Sequence, residues 1–332
     1  MENVINKKLQ HIRIGEVQQF RNVSIYPLFL EAKAVVDHLV LKEALGQELV
    51  VIREIDEGGH VPQLVVVNNS EIPVLILDGE ELIGAKQNRV LNTTVLLRKK
   101  SSTIIPVSYT EQGRWHYESK TFSSSEYSMP AFMRKKKNRS VQESLRSTGD
   151  FRSDQGTVWR EIHEQAAKAA VYSRTGAMRD TLEAKRADVD DYANHFPCLD
   201  GQNGILVCIG GTVAGMDMVA HGPSYELLHA KLLSSYLIDA ILQDNDLSVA
   251  HDPANPQLFL DAVNSCEVSR YKSVGHGWDL RFEGRSVFGS ALEYRNGIIH
   301  MAFFSANGDG RNDADSRMTG FNRRASYRRK DR

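Results

Sequence analysis

The sequence predicts an α+β fold: a strand-rich N-terminal half, as an antiparallel sheet or sandwich, packed with a helix-containing C-terminal half. Three observations predict it. Short β-branched runs recur through the first 120 residues. Turn residues separate them, as Gly58-Gly59, Asn68-Asn69-Ser70 and Asp78-Gly79. Apart from one short helix among the early strands, helical spacing enters after residue 150, and strand patterns return after Arg270. The composition allows such a fold. The chain has 332 residues, 41% hydrophobic and 25% charged, close to the globular average. No run reaches the roughly 18–20 apolar residues of a membrane-spanning helix.

The first strands are expected at Val23–Leu30, Leu49–Ile55, Gln63–Val67, Val74–Leu77, Thr93–Leu97 and Thr103–Ser108. A short helix at Val40–Leu45 interrupts them. The character changes near residue 123, where Ser123–Ser125 opens a polar stretch. Arg134–Lys137 with Arg139 forms a basic run, read as a solvated loop or helix face, or else as a phosphate-contacting patch. Arg160–Ala170 is helical, with Val158, Ile162 and Ala166 in one row and Ser153 or Asp154 as its cap. A second helix is expected over Thr175–Tyr192. After the turn at Gly201–Gly204, Ile205–Ile209 reads as a buried strand, and the glycines that follow as a permissive loop. Pro223 introduces a helix over Ser224–Gln243, with Leu228, Leu232, Tyr236 and Ala240 on one face. Trp278–Phe282 and Val287–Tyr294 are strands, and Asn296-Gly297 turns into Ile298–Phe304.

Residues 15–305 read as one composite domain: 15–122 β-rich, 123–200 loop and helices, 201–305 α+β. Residues 1–14 are a short extension without an apolar signal core. Three cysteines, Cys198, Cys208 and Cys266, argue against a disulfide framework and for the cytoplasm. The net charge of −1 hides an asymmetry. Residues 311–332 hold eight Lys/Arg against three Asp, which leaves residues 1–310 at −6. The segment 306–332 has little to bury and is expected to be a disordered basic tail. Nucleic acid is a partner only through that tail.

Four polar constellations carry chemistry. The densest, Asp78–Arg89, holds Asp78, Glu80, Glu81, Lys86, Gln87, Asn88 and Arg89 within twelve residues. Carboxylates and cations together suit acid/base work and anion binding; a charged hairpin loop is the plainer reading. In an extended backbone these side chains alternate, so one pocket can gather them only if the chain bulges at Gly84. Glu111–Tyr117 sets Arg114 beside Trp115, which suits a phosphate next to a base or ribose, or simply a strand start. Ser153–Trp159 places Asp154 and Gln155 at a helix N-terminus, with Trp159 behind. Lys231, Ser235 and Asp239 form a line on the late helix, beside Tyr236. No histidine or cysteine spacing suggests a metal site, and no cofactor motif is present.

Taken together, the stretches GGHVPQLVVVN, PVLILDGEELIGAKQNRVLNTT, YTEQGRWHY, SLRSTGDFRSDQGTVWREI and KLLSSY resemble the prokaryotic ARPP family over roughly residues 15–305. The acronym stands for ARG- and rhodanese-phosphatase-superfamily-associated protein, ARG being ADP-ribosylglycohydrolase. Tyr109 stands where a Cys is expected, so it receives no catalytic role. The resemblance implies a small nucleotide ligand such as ADP-ribose or NAD, in a conflict or stress-response setting. It places Glu80, Glu81 and Asp154 as candidate acid/base carboxylates. It places Lys86, Gln87, Asn88, Arg89, Arg114, Trp115, Gln155, Trp159, Lys231 and Tyr236 as candidate ligand contacts. Two ligand-binding readings stay open, an enzyme acting on an ADP-ribosyl substrate, or a non-catalytic module that senses the nucleotide or docks a protein partner; a third, a structural protein with no small-molecule site, survives if no pocket joins Asp78–Arg89 to Asp154. Convergence of Glu81, Arg89, Arg114 and Asp154 in one cleft is expected under either of the first two.

Overall fold

The computed structural model describes residues 11–31, 34–55, 62–243 and 254–306. Residues 1–10, the Gly58-Gly59 turn and the basic segment 307–332 lie outside the described residues. In chain order, β1 (Ile12–Ile14), β2 (Gln18–Phe20), β3 (Val23–Leu30) and β4 (Leu39–Val40) lead to α1 (Leu41–Gly46). Eight strands follow: β5 (Val50–Glu54), β6 (Gln63–Asn68), β7 (Val74–Ile76), β8 (Glu80–Gly84), β9 (Arg89–Leu91), β10 (Val95–Leu97), β11 (Ser101–Tyr109) and β12 (Phe122–Ser128). Next come α2 (Ala131–Thr148), α3 (Gln155–Lys168), α4 (Met178–Ala184) and α5 (Arg186–Ala193). The hairpin β13 (Gly204–Ile209) and β14 (Thr212–Val219) precedes α6 (Gly222–Ile241) and α7 (Pro256–Asn264). The described chain ends on β15 (Glu267–Lys272), β16 (Trp278–Glu283), β17 (Val287–Tyr294) and β18 (Gly297–Ser305).

The fold is α+β, and the early strands close into a barrel in the order β11-β6-β5-β12-β8-β9. Strand alternation fills it. In β5, Val50, Ile52 and Glu54 are buried while Val51 and Arg53 are exposed. Ile52, Leu64, Val66, Leu82, Leu91, Ile105, Val107 and Phe122 form the barrel core. The polar stretch from Ser123 is a strand, not a loop. Its serines pair with β8, and Phe122 supplies its apolar anchor.

The larger sheet has the order β1-β3-β13-β14-β18-β17-β16-β15, with β2 also on β3. The first strands of the chain thus belong with the last third, not with the barrel. Strand β13 is buried at every position because both faces are covered. Ile205, Val207 and Ile209 face the main core with α6, and Leu206 and Cys208 face a second core with α7.

Two expectations about helices need correction. The basic run Arg134–Lys137 is not solvent-facing: it sits in α2, where Arg134, Lys135 and Lys137 are buried. The carboxylates that neutralise Arg134 and Lys137 come from distant segments, which local charge pattern cannot reveal. The single helix expected over Thr175–Tyr192 is two, α4 and α5, meeting at Lys185. The stretch after Gly210-Gly211, expected as a loop, is strand β14.

Candidate functional site

The loop into β8 is shaped by Gly79. Its φ is +81°, and a Cβ there would meet the Arg134 stem at 2.8 Å. Beside it, Asp78 forms a buried ion pair with Lys137, which also donates to the Leu91 carbonyl at 2.6 Å. Next, Glu80 accepts from Lys231 Nζ at 2.7 Å and from the Leu77 N–H at 3.2 Å. Lys231 donates to Ser124 Oγ at 3.1 Å as well. Two of the residues singled out by sequence, Glu80 and Lys231, therefore neutralise each other inside the protein.

Strand alternation turns Glu81 the other way from Leu82, out of the barrel. It lies opposite Val90, which faces the main core with Ile162, Met178 and Leu182. Glu81 is fully buried, and neither carboxylate oxygen has a hydrogen bond of good geometry. Burial pushes its pKa up to about 7. The nearby Ser125 hydroxyl and the charges of Arg179 and Lys231 lower it in part, while Glu111 raises it.

Beyond β8 the chain turns through Gly84 (φ +120°) and Ala85 (φ +44°). A Cβ on Gly84 would lie 2.5 Å from Ser119 Oγ and 2.8 Å from the Thr121 carbonyl. This turn opens a cleft of about 420 Å³ on the outer barrel wall, lined by Asn88, Glu111, Arg114, Ser123, Arg179 and Asp180 among others. Arg114 is buried and fully engaged. Its Nε donates to Glu111 at 2.8 Å, Nη1 to the Ala85 carbonyl at 2.8 Å, and Nη2 to Asn88 Oδ1 at 3.0 Å. It orders the cleft wall, holding Glu111 and Asn88 in place. Thr175 Oγ1 donates to the second Glu111 oxygen at 2.9 Å. Arg179 is gripped by Glu183, through Nε at 3.2 Å and Nη2 at 2.9 Å. Asp180 accepts from Ser173 Oγ at 2.5 Å.

The remaining candidates lie elsewhere. Arg89 points into the barrel with Leu91, not into the cleft. There Nη2 meets Glu54 Oε1 at 3.1 Å, and its guanidinium sits 4.0 Å from the Tyr109 ring centroid. Burial draws its pKa below the ordinary arginine value. Gln87 donates to the Gln112 carbonyl at 3.4 Å. Lys86, half-buried, lies 5.6 Å from the Trp115 ring and 5.1 Å from the Tyr117 ring, both exposed aromatics. Asp154 is exposed and caps α3, accepting from Gly156 N at 3.0 Å and Thr157 N at 3.2 Å. Burial alone would raise its pKa; the bonds from Thr157 and Gly156 win and lower it. Gln155 clasps the Tyr109 backbone in both directions, at 2.8 and 2.9 Å, and so fastens α3 to β11. Trp159 packs on the main core. Glu81, Arg89, Arg114 and Asp154 thus do not share one cleft; of the sequence candidates, Asn88 and Arg114 line it. Glu111, Arg179 and Asp180 were not singled out. Glu111 was legible within the EQGRWHY stretch, whereas Arg179 and Asp180 sit among many charges with no distinguishing pattern.

Tyr236 belongs to a buried network centred on Asp217. Asp217 takes Arg134 through both oxygens, Tyr236 Oη at 2.7 Å and His300 Nε2 at 3.3 Å. His300 Nδ1 continues to Thr94 Oγ1 at 2.8 Å, and Thr94 accepts from the Asp78 N–H at 3.0 Å. The network links the larger sheet, α2, α6 and the loop into β8. Burial would raise the Asp217 pKa, but Arg134 and His300 outweigh it and hold it at about 2.

Among the described residues, no group of three or more His, Cys, Asp or Glu could hold a metal ion. No helix among them is long and apolar enough to cross a membrane. Neither the curated proteins nor the solved structures contain a match to the chain. A family model does match: the ARG and Rhodanese-Phosphatase-superfamily-associated Protein domain, ARPP-1, over residues 11–304. That span holds the barrel, the outer cleft and the Asp217 network, and the chain belongs to the ARPP-1 family.

Proposed function

We propose that this protein is a binding module for a small nucleotide-type ligand, of the ADP-ribose or NAD class that the family's name suggests. The ribose-phosphate part would lie in the outer cleft. The observation that carries this reading is the cleft's donor and acceptor set. Glu111, Glu118, Asp180 and the Asn88 amide suit ribose hydroxyls, and Arg179, which Glu183 holds through Nε and Nη2, suits one phosphate through Nη1. Binding is favoured over turnover because two of the three expected acid/base carboxylates are engaged. Glu80 is paired with Lys231, and Asp154 with a helix end.

Glu81 favours a second reading, an enzyme acting on an ADP-ribosyl bond. A buried carboxyl that titrates near neutrality is the kind of group general acid/base catalysis uses. It would have to gain access to the cleft from beneath the segment that covers it.

Calorimetry with ADP-ribose, NAD and ribose 5-phosphate tests both, with the ligand recovered and chromatographed after hours. Binding of intact ligand, weakened about tenfold or more by Arg179→Ala, is the expected result. Ligand cleavage that Glu81→Gln abolishes would favour the enzyme instead. Absence of binding by all three ligands would sink both.

A further inference from the structure

A second cavity of about 460 Å³ adjoins the cleft, and Ala177 lines both. The strip between them is the segment before α4, pinned to the chain after β11 by a single antiparallel bridge and two flanking backbone bonds. Gly113 N donates to the Thr175 carbonyl at 2.6 Å, Met178 N donates to the Thr110 carbonyl at 2.9 Å, and Glu111 bridges Ala177.

The two compartments differ in chemistry. The cleft is charged. The second cavity is walled by Ile162, Ala166, Ala167 and Val171, with His163 and Gln112 among its polar groups. Short side chains along one face of α3 leave a broad apolar wall. An apolar wall with polar groups at its edge is an arrangement that can seat a flat ring.

We propose that this cavity seats a planar heteroaromatic base whose ribose phosphate occupies the neighbouring cleft. The proposal rests on the reading of that cleft given above. Ala166 and Ala167 would meet one face of the ring, with the Gln112 carboxamide and the His163 imidazole toward its polar edge. A ligand with one apolar flat end and one anionic, hydroxylated end matches two unlike compartments that share one wall residue. Mononucleotides and dinucleotides have that form; free sugar phosphates and free bases each have half of it.

The test compares adenosine 5′-monophosphate with ribose 5-phosphate by calorimetry on the full chain. The wild-type protein should bind the nucleotide roughly tenfold or more tightly than the sugar phosphate, the margin one stacked base supplies. Ala167→Trp fills the cavity from an exposed helix position, so the fold should be kept, checked by circular dichroism and thermal melting. It should bring the nucleotide down to the affinity of the sugar phosphate and leave the latter unchanged. Equal wild-type affinity for the two probes, or equal weakening of both by Ala167→Trp, overturns the base seat while leaving the cleft standing. If neither probe binds, the cleft reading itself has failed, and the base seat with it.

Discussion

Arg134 and Asp217 face each other as a two-pronged ion pair, Nη1 to Oδ2 at 3.0 Å and Nη2 to Oδ1 at 2.6 Å, both side chains fully buried. One comes from α2 and the other from β14, and the pair fastens the basic helix to the larger sheet. Removing one partner leaves the other charged and unpaired. Arg134→Met or Asp217→Asn alone should therefore destabilise by about 3–5 kcal/mol in urea unfolding at pH 7. Replacing both with apolar residues should recover most of the loss. The folded Asp217 pKa lies near 2, below the ordinary carboxylate value. Its contribution is therefore present above about pH 4 and fades as the pH falls through 2. A single replacement costing under about 1 kcal/mol would contradict this account.

Glu81 has the opposite sign. Its folded pKa of about 7 lies above its unfolded value, so the native state holds the proton more tightly. That stability is complete at low pH and is lost as the pH rises through 7, amounting to about 3 kcal/mol. Asp239, which accepts from the Phe132 N–H at 2.7 Å, is also raised to about 7 by burial and adds to the same slope. Urea midpoints of wild type, Glu81→Gln and Asp239→Asn between pH 5 and 8 separate the two. Glu81→Gln should flatten part of the decline. An unchanged slope would show that Glu81 is not held protonated.

Asp154→Ala should cost about 1 kcal/mol, the value of a helix cap, because the carboxylate bonds only its own first turn. Ligand affinity measured by calorimetry should not move. A loss of binding without a matching loss of stability would return Asp154 to the site.

Gly79→Ala and Gly201→Ala form a controlled pair. Both glycines have positive φ, +81° and +72°. A Cβ at Gly201 meets nothing within 4 Å, whereas at Gly79 it meets the Arg134 stem at 2.8 Å. Gly201→Ala should cost about 1–2 kcal/mol from backbone strain alone. Gly79→Ala should cost measurably more by thermal or urea unfolding, because Arg134 cannot move without releasing Asp217. Equal costs would mean that the stem shifts freely.

Several elements of the fold were legible locally. The short apolar runs Leu49–Ile55 and Ile205–Ile209 placed β5 and β13, and the i, i+4 row from Leu228 to Ala240 placed α6. The helix over residues 131–148 was hidden because its buried face carries Arg134, Lys135 and Lys137 instead of leucines. Strand β12 was hidden because serines fill positions where a strand ordinarily shows its apolar period. At the site, residue type put Asn88 and Arg114 among the expected ligand contacts, and both line the cleft. The same reasoning could not separate Glu80 from Glu81, since adjacent strand residues look alike until each face has a neighbour.

Local periodicity and contiguous motifs were enough for the α+β class, several of the strands, the late helix and the family. Only the tertiary structure decided which charges are structural and which line a cleft. Lys231 meets Glu80 across 151 positions, and Arg134 meets Asp217 across 83. An ion pair of that kind forms when two distant segments are buried together, so its partners leave no pattern along the chain. Burial is also what separates Glu81, sealed and titrating near 7, from the exposed Asp154, which ends as a helix cap.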